Sequence, residues 1–167
     1  MSESAGLHII MDARVADPSV FNKATLLSLF DKIVTALAMK PLDVVMVYEV
    51  PVDPAILARA KATGNFEDEG GISTVQVIST SHLTLHAWPL QHYFALDAFS
   101  CKDYSADLAL GIIRETLGVT TENTLVVKRQ KPLAGGARRT VQYFECGPKS
   151  RKRAPSKGAA LCVHPSS

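Results

Sequence analysis

The residues best able to do chemistry lie together between positions 71 and 101, GISTVQVISTSHLTLHAWPLQHYFALDAFSC. This stretch contains a group of hydroxyl side chains, three of the five histidines, the single tryptophan and one of the three cysteines. A hydroxyl or thiol becomes a useful nucleophile when a neighbouring base takes its proton, and histidine is the commonest such base. If the protein is an enzyme, this stretch is its candidate active site.

Each of these groups also has an ordinary structural interpretation. Thr80-Ser81 could be a tight turn with exposed hydroxyls, His86 a hydrogen-bonded part of the scaffold, and Cys101 a small apolar residue. His82 and His86 are a poor pair of metal ligands, because residues four apart on a strand lie about 13 Å from each other. We therefore expect no metal site.

Three stretches of strand character must position these groups: Ile72–Ser79, His82–Trp88 and Tyr93–Phe99. Their connections are too short for a crossover, which predicts an antiparallel meander. The first two meet at Thr80-Ser81, with no Gly, Pro or Asn at the junction. We expect packing on both sides to hold this peptide bond under constraint.

The flanking segments predict further strands and two amphipathic helices. Before the meander come a strand at Leu7–Val15, a helix that starts at Asp17-Pro18-Ser19 and stops at Lys40-Pro41, and a strand at Leu42–Val50. A second helix is capped by Ser105 and ended by Gly118. The predicted buried positions are Leu26, Leu27, Phe30, Ile33, Val34 and Leu37 in the first helix and Leu108, Ile112, Ile113 and Leu117 in the second. The remaining elements are a short helix at Asp53–Thr63, an acidic loop at Gly64–Gly71, a strand at Thr124–Lys128 and an edge strand at Arg139–Glu145.

This order predicts an α+β fold, a two-layer α/β sandwich with one antiparallel sheet and helices on one face. A strand-helix-strand unit on each side of the meander is compatible with an internal duplication. We expect a single domain at 1–146 and a disordered tail at 147–167, which is rich in Pro, Ser, Lys and Arg.

Composition indicates a globular, soluble protein of a reducing compartment rather than a membrane or nucleic-acid-binding protein. The chain of 167 residues is 47% hydrophobic and has three widely separated cysteines, which argues against a disulfide framework. It has neither a secretory signal nor an apolar run long enough to span a bilayer, so we expect a cytoplasmic protein. Basic residues cluster in the tail, but without interleaved aromatic residues they are weak support for nucleic-acid binding.

Residues 71–101 resemble the core of the bacterial S-adenosylmethionine decarboxylase proenzymes. The family signature is a serine-glutamate-serine-histidine run followed by histidine-x-tryptophan-proline-glutamate. The similarity extends over about residues 6–130, including Gly6-Leu7-His8 and Phe99-Ser100-Cys101-Lys102. The matching runs here are Ser79-Thr80-Ser81-His82 and His86-Ala87-Trp88-Pro89-Leu90, and Ser73, Ser81, His86 and Cys101 keep the family spacing of 8, 5 and 15 residues.

The resemblance implies a self-made cofactor. The chain would cut itself between Thr80 and Ser81, when the Ser81 hydroxyl attacks the Thr80 carbonyl and the resulting ester eliminates. Hydrolysis of the dehydroalanine would leave a pyruvoyl group on the fragment 81–167. Ser73 and His86 are assigned to this processing, His86 as the residue that moves the proton.

The resemblance also implies what the cut protein does. The pyruvoyl carbonyl would form a Schiff base with S-adenosylmethionine and accept electrons as carbon dioxide leaves, with Cys101 returning the proton. Trp88 and Leu90 fall in the substrate-binding run. The expected product serves spermidine, and hence polyamine, biosynthesis; the expected assembly is a homodimer of cleaved protomers, with the active sites near the interface.

Two positions depart from the family pattern. Thr80 replaces the glutamate before the cut, which leaves the attacked carbonyl in place. Leu90 replaces the glutamate that holds the ribose hydroxyls, and leucine cannot accept those hydrogen bonds. Ornithine or arginine therefore remains an alternative substrate, and an uncut, non-catalytic binding homologue is a third interpretation.

Overall fold

A computed structural model describes residues 4–51, 53–64 and 70–131. Within these residues the chain forms six strands and three α-helices, with one-turn 3₁₀ helices at Pro18–Val20 and Pro89–Gln91. The strands are β1 (Ser4–Val15), β2 (Met46–Val50), β3 (Gly71–Ile78), β4 (Ser81–Trp88), β5 (Tyr93–Ser100) and β6 (Val119–Gln130). The helices are α1 (Lys23–Ala36), α2 (Pro54–Thr63) and α3 (Ala106–Leu117).

The strands form one sheet in the order β2-β3-β4-β5-β1-β6, and every neighbouring pair is antiparallel. β3, β4 and β5 are consecutive neighbours, so the predicted meander is confirmed. Side chains alternate across the sheet, and the buried set packs with residues of α1 and α3 in one hydrophobic core. The predicted α+β fold with an antiparallel sheet is therefore confirmed; the internal duplication stays a prediction.

The start of the first helix differs from the sequence prediction. The Asp17 side chain caps only the 3₁₀ turn, whereas α1 begins at Lys23 behind a second cap, in which the Asn22 side chain accepts a hydrogen bond from the Thr25 N–H at 3.0 Å. Because the two cap residues lie so close together, the chain forms a one-turn 3₁₀ helix and then begins α1 separately, rather than one continuous helix.

One strand boundary and several buried helix positions differ from those predicted from the sequence. β2 covers only Met46–Val50, shorter than the predicted Leu42–Val50. Before it the chain contacts β3 at isolated points, among them the Pro41–Ile78 bridge and the hydrogen bond from the Leu42 N–H to the Val77 carbonyl. Leu29 is buried in α1 and was missing from the predicted apolar face. In α3 the buried face includes Ala109 and Leu110, whereas Leu108 is 45% exposed, so the prediction for Leu108 was wrong. Both helices carry leucine on more than one face, and spacing alone does not choose between the faces.

Several predictions lie outside the described residues. These are most of the acidic loop, the strand at Arg139–Glu145, the domain end at 146 and the tail at 147–167. In the part of the chain that is described, no helix is both long and apolar enough to cross a membrane.

Candidate active site

Side chains along β4 alternate between the core and the opposite face of the sheet, and the candidate site residues His86 and Trp88 lie on the opposite face. Leu83, Leu85 and Ala87 are buried in the core, whereas His86 and Trp88 are half-buried on the other side. Neither α1 nor α3 covers this second face, which we call the open face. Antiparallel sheets commonly leave one face free in this way.

The first group of side chains on the open face is Ser73, His86, Trp88 and Tyr93. Ser73 and His86 are directly opposite each other on β3 and β4, and the Ser73 Oγ lies 2.5 Å from the His86 Nδ1. The His86 ring packs edge-on against Trp88 with centroids 4.1 Å apart, and Trp88 stacks on Tyr93 at 5.0 Å. The Tyr93 hydroxyl donates a hydrogen bond to Asp12, so the row of rings is anchored at its far end.

The environment of His86 favours its neutral form. Burial lowers the pKa of this imidazole below its usual value, because the charged form loses hydration. With Nδ1 bonded to Ser73, Nε2 is the nitrogen left to exchange a proton. Gly71 lies beside it: a Cβ there would be 3.3 Å from Nε2 and 2.5 Å from the Ala87 carbonyl oxygen. A glycine at position 71 therefore leaves room for the ring.

The second group surrounds the junction of β3 and β4. The Thr80 carbonyl accepts a hydrogen bond from the Cys101 backbone N–H at 3.0 Å. The Thr80 Oγ1 accepts one from the buried Ser100 hydroxyl at 3.0 Å, and that hydroxyl in turn accepts one from the Lys102 N–H at 3.1 Å. The backbone carbonyl and the side chain of Thr80 are thus both fixed by the end of β5 and the residue after it.

Ser81 has an unusual backbone conformation next to this fixed carbonyl. Its φ is 156°, in a region that residues with a side chain rarely adopt. Its Oγ lies 3.0 Å from Nδ1 of the adjacent His82. At the Thr80–Ser81 bond the structure thus places a serine of rare backbone conformation beside a carbonyl held by a hydrogen-bond donor.

Cys101 is an exposed free thiol at the end of β5, and Gly6 fixes its backbone. Gly6 has a φ of 106°, and a Cβ there would lie 1.9 Å from the Ser100 carbonyl oxygen and 2.5 Å from the Cys101 Cα. Only glycine permits both the conformation and the contact. β1 therefore presses directly on the segment that supports Thr80.

The two groups do not meet within one chain. Ser81 and His86 are five residues apart on the same strand. At the rise of an extended strand, that spacing separates them by about 16 Å. Ser81, Thr80 and Cys101 therefore lie together at one end of β4, and Ser73, His86 and Trp88 towards the other.

Leu90 lies in the 3₁₀ turn after β4 and is 36% exposed. It lines a cavity of about 610 Å³ together with Glu49, Gly71 and Pro89. Glu49 is therefore a carboxylate close to the position where leucine replaces the glutamate of the signature. Among the described residues, no three His, Cys, Asp or Glu side chains are grouped so as to hold a metal ion.

Comparison with known proteins decides the family. The family model described as S-adenosylmethionine decarboxylase matches residues 7–130, which include all six strands from Leu7 onward and both groups of site residues. The chain belongs to this family.

Relatives of the S-adenosylmethionine decarboxylase family agree over a shorter region. The chain is 37% identical over 59 residues to an S-adenosylmethionine decarboxylase proenzyme of Anoxybacillus flavithermus, which is 35% of this chain and 48% of that protein. It is 42% identical over 66 residues to the proenzyme of Caldanaerobacter subterraneus, covering 37% and 52%. The chain thus spans about half the length of the curated relatives that it matches.

A solved structure supports the fold. The adenosylmethionine decarboxylase of Aquifex aeolicus superposes with a TM-score of 0.60 at 20% identity, covering 81% of this chain and 99% of that one. At this identity the likeness concerns the fold of the S-adenosylmethionine decarboxylase family.

Sequence reasoning missed three contributors to the site. Gly6 and Ser100 fell within matched runs, but neither residue type signals a role without the contact it makes. The sequence pattern suggests His82 only as a poor metal ligand, although its position directly after Ser81 also allows a contact with the Ser81 hydroxyl.

Proposed function

We propose that the protein is a self-processing, pyruvoyl-dependent S-adenosylmethionine decarboxylase, a cytoplasmic carboxy-lyase of spermidine biosynthesis. The observation that supports this best is the geometry at Thr80–Ser81. The scissile carbonyl accepts a hydrogen bond from the Cys101 N–H, and the following serine has a φ of 156°. Membership of the decarboxylase family adds the chemical context.

The proposed processing begins with the Ser81 Oγ attacking the Thr80 carbonyl carbon. Negative charge then develops on the carbonyl oxygen, where the Cys101 N–H stabilises it in the manner of an oxyanion hole. The Thr80–Ser81 C–N bond breaks, the nitrogen takes up the proton, and an ester remains. The His86 of a Ser73–His86 pair is the proposed base that then removes the Ser81 Cα proton; the Cβ–Oγ bond breaks, and the Thr80 carboxylate leaves.

The surroundings of residue 81 fit a pyruvoyl group formed there. Such a group supplies the electron sink for decarboxylation of an α-amino acid. Cys101 follows the strand residue directly opposite Ser81, and its exposed thiol is the proposed proton donor to the substrate α-carbon. No metal is required by this scheme.

The separation of the two groups of residues leads us to propose a homodimer. Since His86 of one chain is about 16 Å from its own Ser81, a second copy is needed to bring a Ser73–His86 pair to that serine. The open face is suited to this contact, because it also exposes apolar side chains. Those on β2 and β3 are Met46, Tyr48, Val50 and Val77, between 37% and 56% exposed. A two-fold axis would complete both sites at once.

S-adenosylmethionine is the proposed substrate, and Trp88 and the cavity beside Leu90 are the proposed binding elements. The ornithine or arginine alternative rests on Leu90 alone. The binding-homologue alternative requires that the chain stay uncut, so processing decides between it and the enzyme.

The first experiment is the intact mass of the purified protein under denaturing conditions, beside Ser81→Ala. We expect two fragments, 1–80 and a pyruvoyl-blocked 81–167, only when Ser81 is present. A single uncut chain of 18.0 kDa after long incubation would reject the proposal. Release of carbon dioxide from S-adenosylmethionine, compared with ornithine and arginine, then assigns the substrate.

A further inference from the structure

We infer that His82 is the base that takes the proton from the Ser81 hydroxyl when the chain cuts itself. This inference rests on the proposed self-processing and adds a catalytic residue to it. His82 would act in ester formation, before the elimination in which the Ser73–His86 pair is proposed to act.

The geometry around the nucleophile carries the inference. The Ser81 Oγ lies 3.0 Å from the His82 Nδ1, within the reach required of a general base. Across the residues that the structure describes, no other histidine nitrogen lies within hydrogen-bond distance of this oxygen. The His86 of the same chain is about 16 Å away along β4, too far to take this proton directly. If the His86 of a second copy took it instead, His86→Ala would form no ester, and hydroxylamine would not cut that variant.

The His82 ring is held in place by the neighbouring strand. It packs edge-on against Phe99, its partner in the register of β4 and β5, with centroids 6.3 Å apart. Charged and titratable groups surround this site on two sides. Lys40, Lys102 and Asp103 line the cavity next to Thr80, and Cys101 follows Ser100 there. The others lie around Phe99. Arg129 places its guanidinium 4.0 Å from the Phe99 ring centre, and His8 lies 5.5 Å from the same ring while contacting Asp97 at 3.0 Å. A fixed ring keeps Nδ1 on the serine hydroxyl.

The proton transfers balance within Ser81, Thr80 and His82. A neutral imidazole that carries its proton on Nε2 accepts the Oγ proton at Nδ1. The Oγ–carbon bond forms, and the Thr80 carbonyl oxygen becomes an oxyanion hydrogen-bonded to the Cys101 N–H. When the C–N bond breaks, the imidazolium gives its Nδ1 proton to the Ser81 nitrogen. The products are an ester and a free amine, and His82 is neutral again.

This assignment separates two classes of processing variant. A variant without the base at position 82 stops before the ester, so no ester accumulates. A variant without the base at position 86 stops after the ester, so the ester accumulates. Hydroxylamine cleaves esters and leaves ordinary peptide bonds intact, and it therefore distinguishes the two.

The test uses full-length precursor of His82→Ala, His82→Asn and His86→Ala, incubated with and without hydroxylamine and followed by intact mass. We expect both His82 variants to cut at least roughly a hundredfold more slowly than the natural chain, since general bases contribute about 10²–10⁴. Hydroxylamine should not restore the cut in them, whereas it should cut His86→Ala.

His8→Asn is the matched control, because His8 contacts the same Phe99 ring without touching Ser81; it should cut at the natural rate. The His82→Asn variant retains a group able to hydrogen-bond Ser81, but its amide cannot take the hydroxyl proton.

Natural-rate cutting in either His82 variant, or hydroxylamine cleavage of His82→Ala between residues 80 and 81, would overturn the inference. A natural chain that never cuts would instead reject the proposed function. Circular dichroism of each precursor establishes that the variants are folded.

Discussion

At the scale of single residues, Thr80 is held by the last residue of β5 and the residue after it. Its carbonyl is bonded to the Cys101 N–H and its hydroxyl to the Ser100 hydroxyl, which is itself only 2% exposed. Thr80, which stands where the family signature has glutamate, therefore contacts the candidate site through its own hydroxyl. In the proposed processing, this contact would help to orient the Thr80 carbonyl.

Removing this contact should slow self-cleavage. An ordinary hydrogen bond contributes ~1 kcal/mol, so Ser100→Ala and Thr80→Val should each slow the cut by roughly fivefold. Ser100→Ala also removes the hydrogen bond from the Lys102 N–H, so the double variant should be no slower than Ser100→Ala, in which the bond to Thr80 is already lost. Thr80→Ser keeps the hydroxyl and should cut near the natural rate. Additive losses in time courses of intact mass would contradict a shared contact.

Leu90 is the residue that most directly tests the substrate. Leu90→Glu restores a carboxylate beside the cavity that Glu49 and Gly71 also line. A hydrogen bond to a charged group contributes ~1.5–3 kcal/mol, so the KM for S-adenosylmethionine should fall by roughly tenfold or more, with kcat little changed. Leu108→Glu, on an exposed helix position, is the control. An unchanged KM would mean that Leu90 does not adjoin the ribose.

At the scale of elements, β1 supports the site through one glycine. Gly6→Ala would place a methyl group 1.9 Å from the Ser100 carbonyl oxygen at a φ of 106°. Because the neighbouring backbone must move, we expect a loss of ~1–3 kcal/mol in the free energy of unfolding and slower self-cleavage. Thermal unfolding and cleavage rates measure these effects separately.

Gly111→Ala is the matched control for Gly6→Ala. Nothing lies within 4 Å of a Cβ at Gly111, and alanine suits the middle of a helix better than glycine by ~0.5–1 kcal/mol. This variant should be more stable and should cut at the natural rate. If Gly6→Ala cut equally fast, β1 would have no part in holding Thr80.

The meander could be predicted from sequence because each of its strands alternates and its connections are short. The open face could not be recognised as uncovered, since alternation shows two faces without showing what covers them. The pairing of Ser73 with His86 depends on the register between β3 and β4, which two-residue periodicity does not determine. The contact of Gly6 with Ser100 joins residues 94 positions apart in the sequence, beyond the reach of any local pattern.

At the scale of the whole molecule, the proposed dimer can be tested by complementation. Ser81→Ala lacks the nucleophile but keeps His86, whereas His86→Ala keeps the nucleophile. If one copy supplies His86 to the Ser81 of the other, mixing the two precursors should cut the His86→Ala chain, although neither variant cuts alone. Fragments that appear on mixing, identified by mass, support a shared site. If mixed dimers form but no fragments appear, Ser81 and the Ser73–His86 pair that acts on it must come from the same chain.

The strand order determines how the two fragments of the proposed cut would be held together and whether they could refold. A cut after Thr80 assigns β1, β2 and β3 to one fragment and β4, β5 and β6 to the other, and β1 lies between β5 and β6. The two fragments would be interlaced in the sheet, so they would stay together after the proposed cut unless the sheet itself opened. Once unfolded, however, they must find each other as separate molecules, and recovery depends on concentration. The proposed self-cleavage would therefore divide two behaviours: the uncut precursor would refold as one molecule, whereas the two-chain form would persist through the slowness of its unfolding.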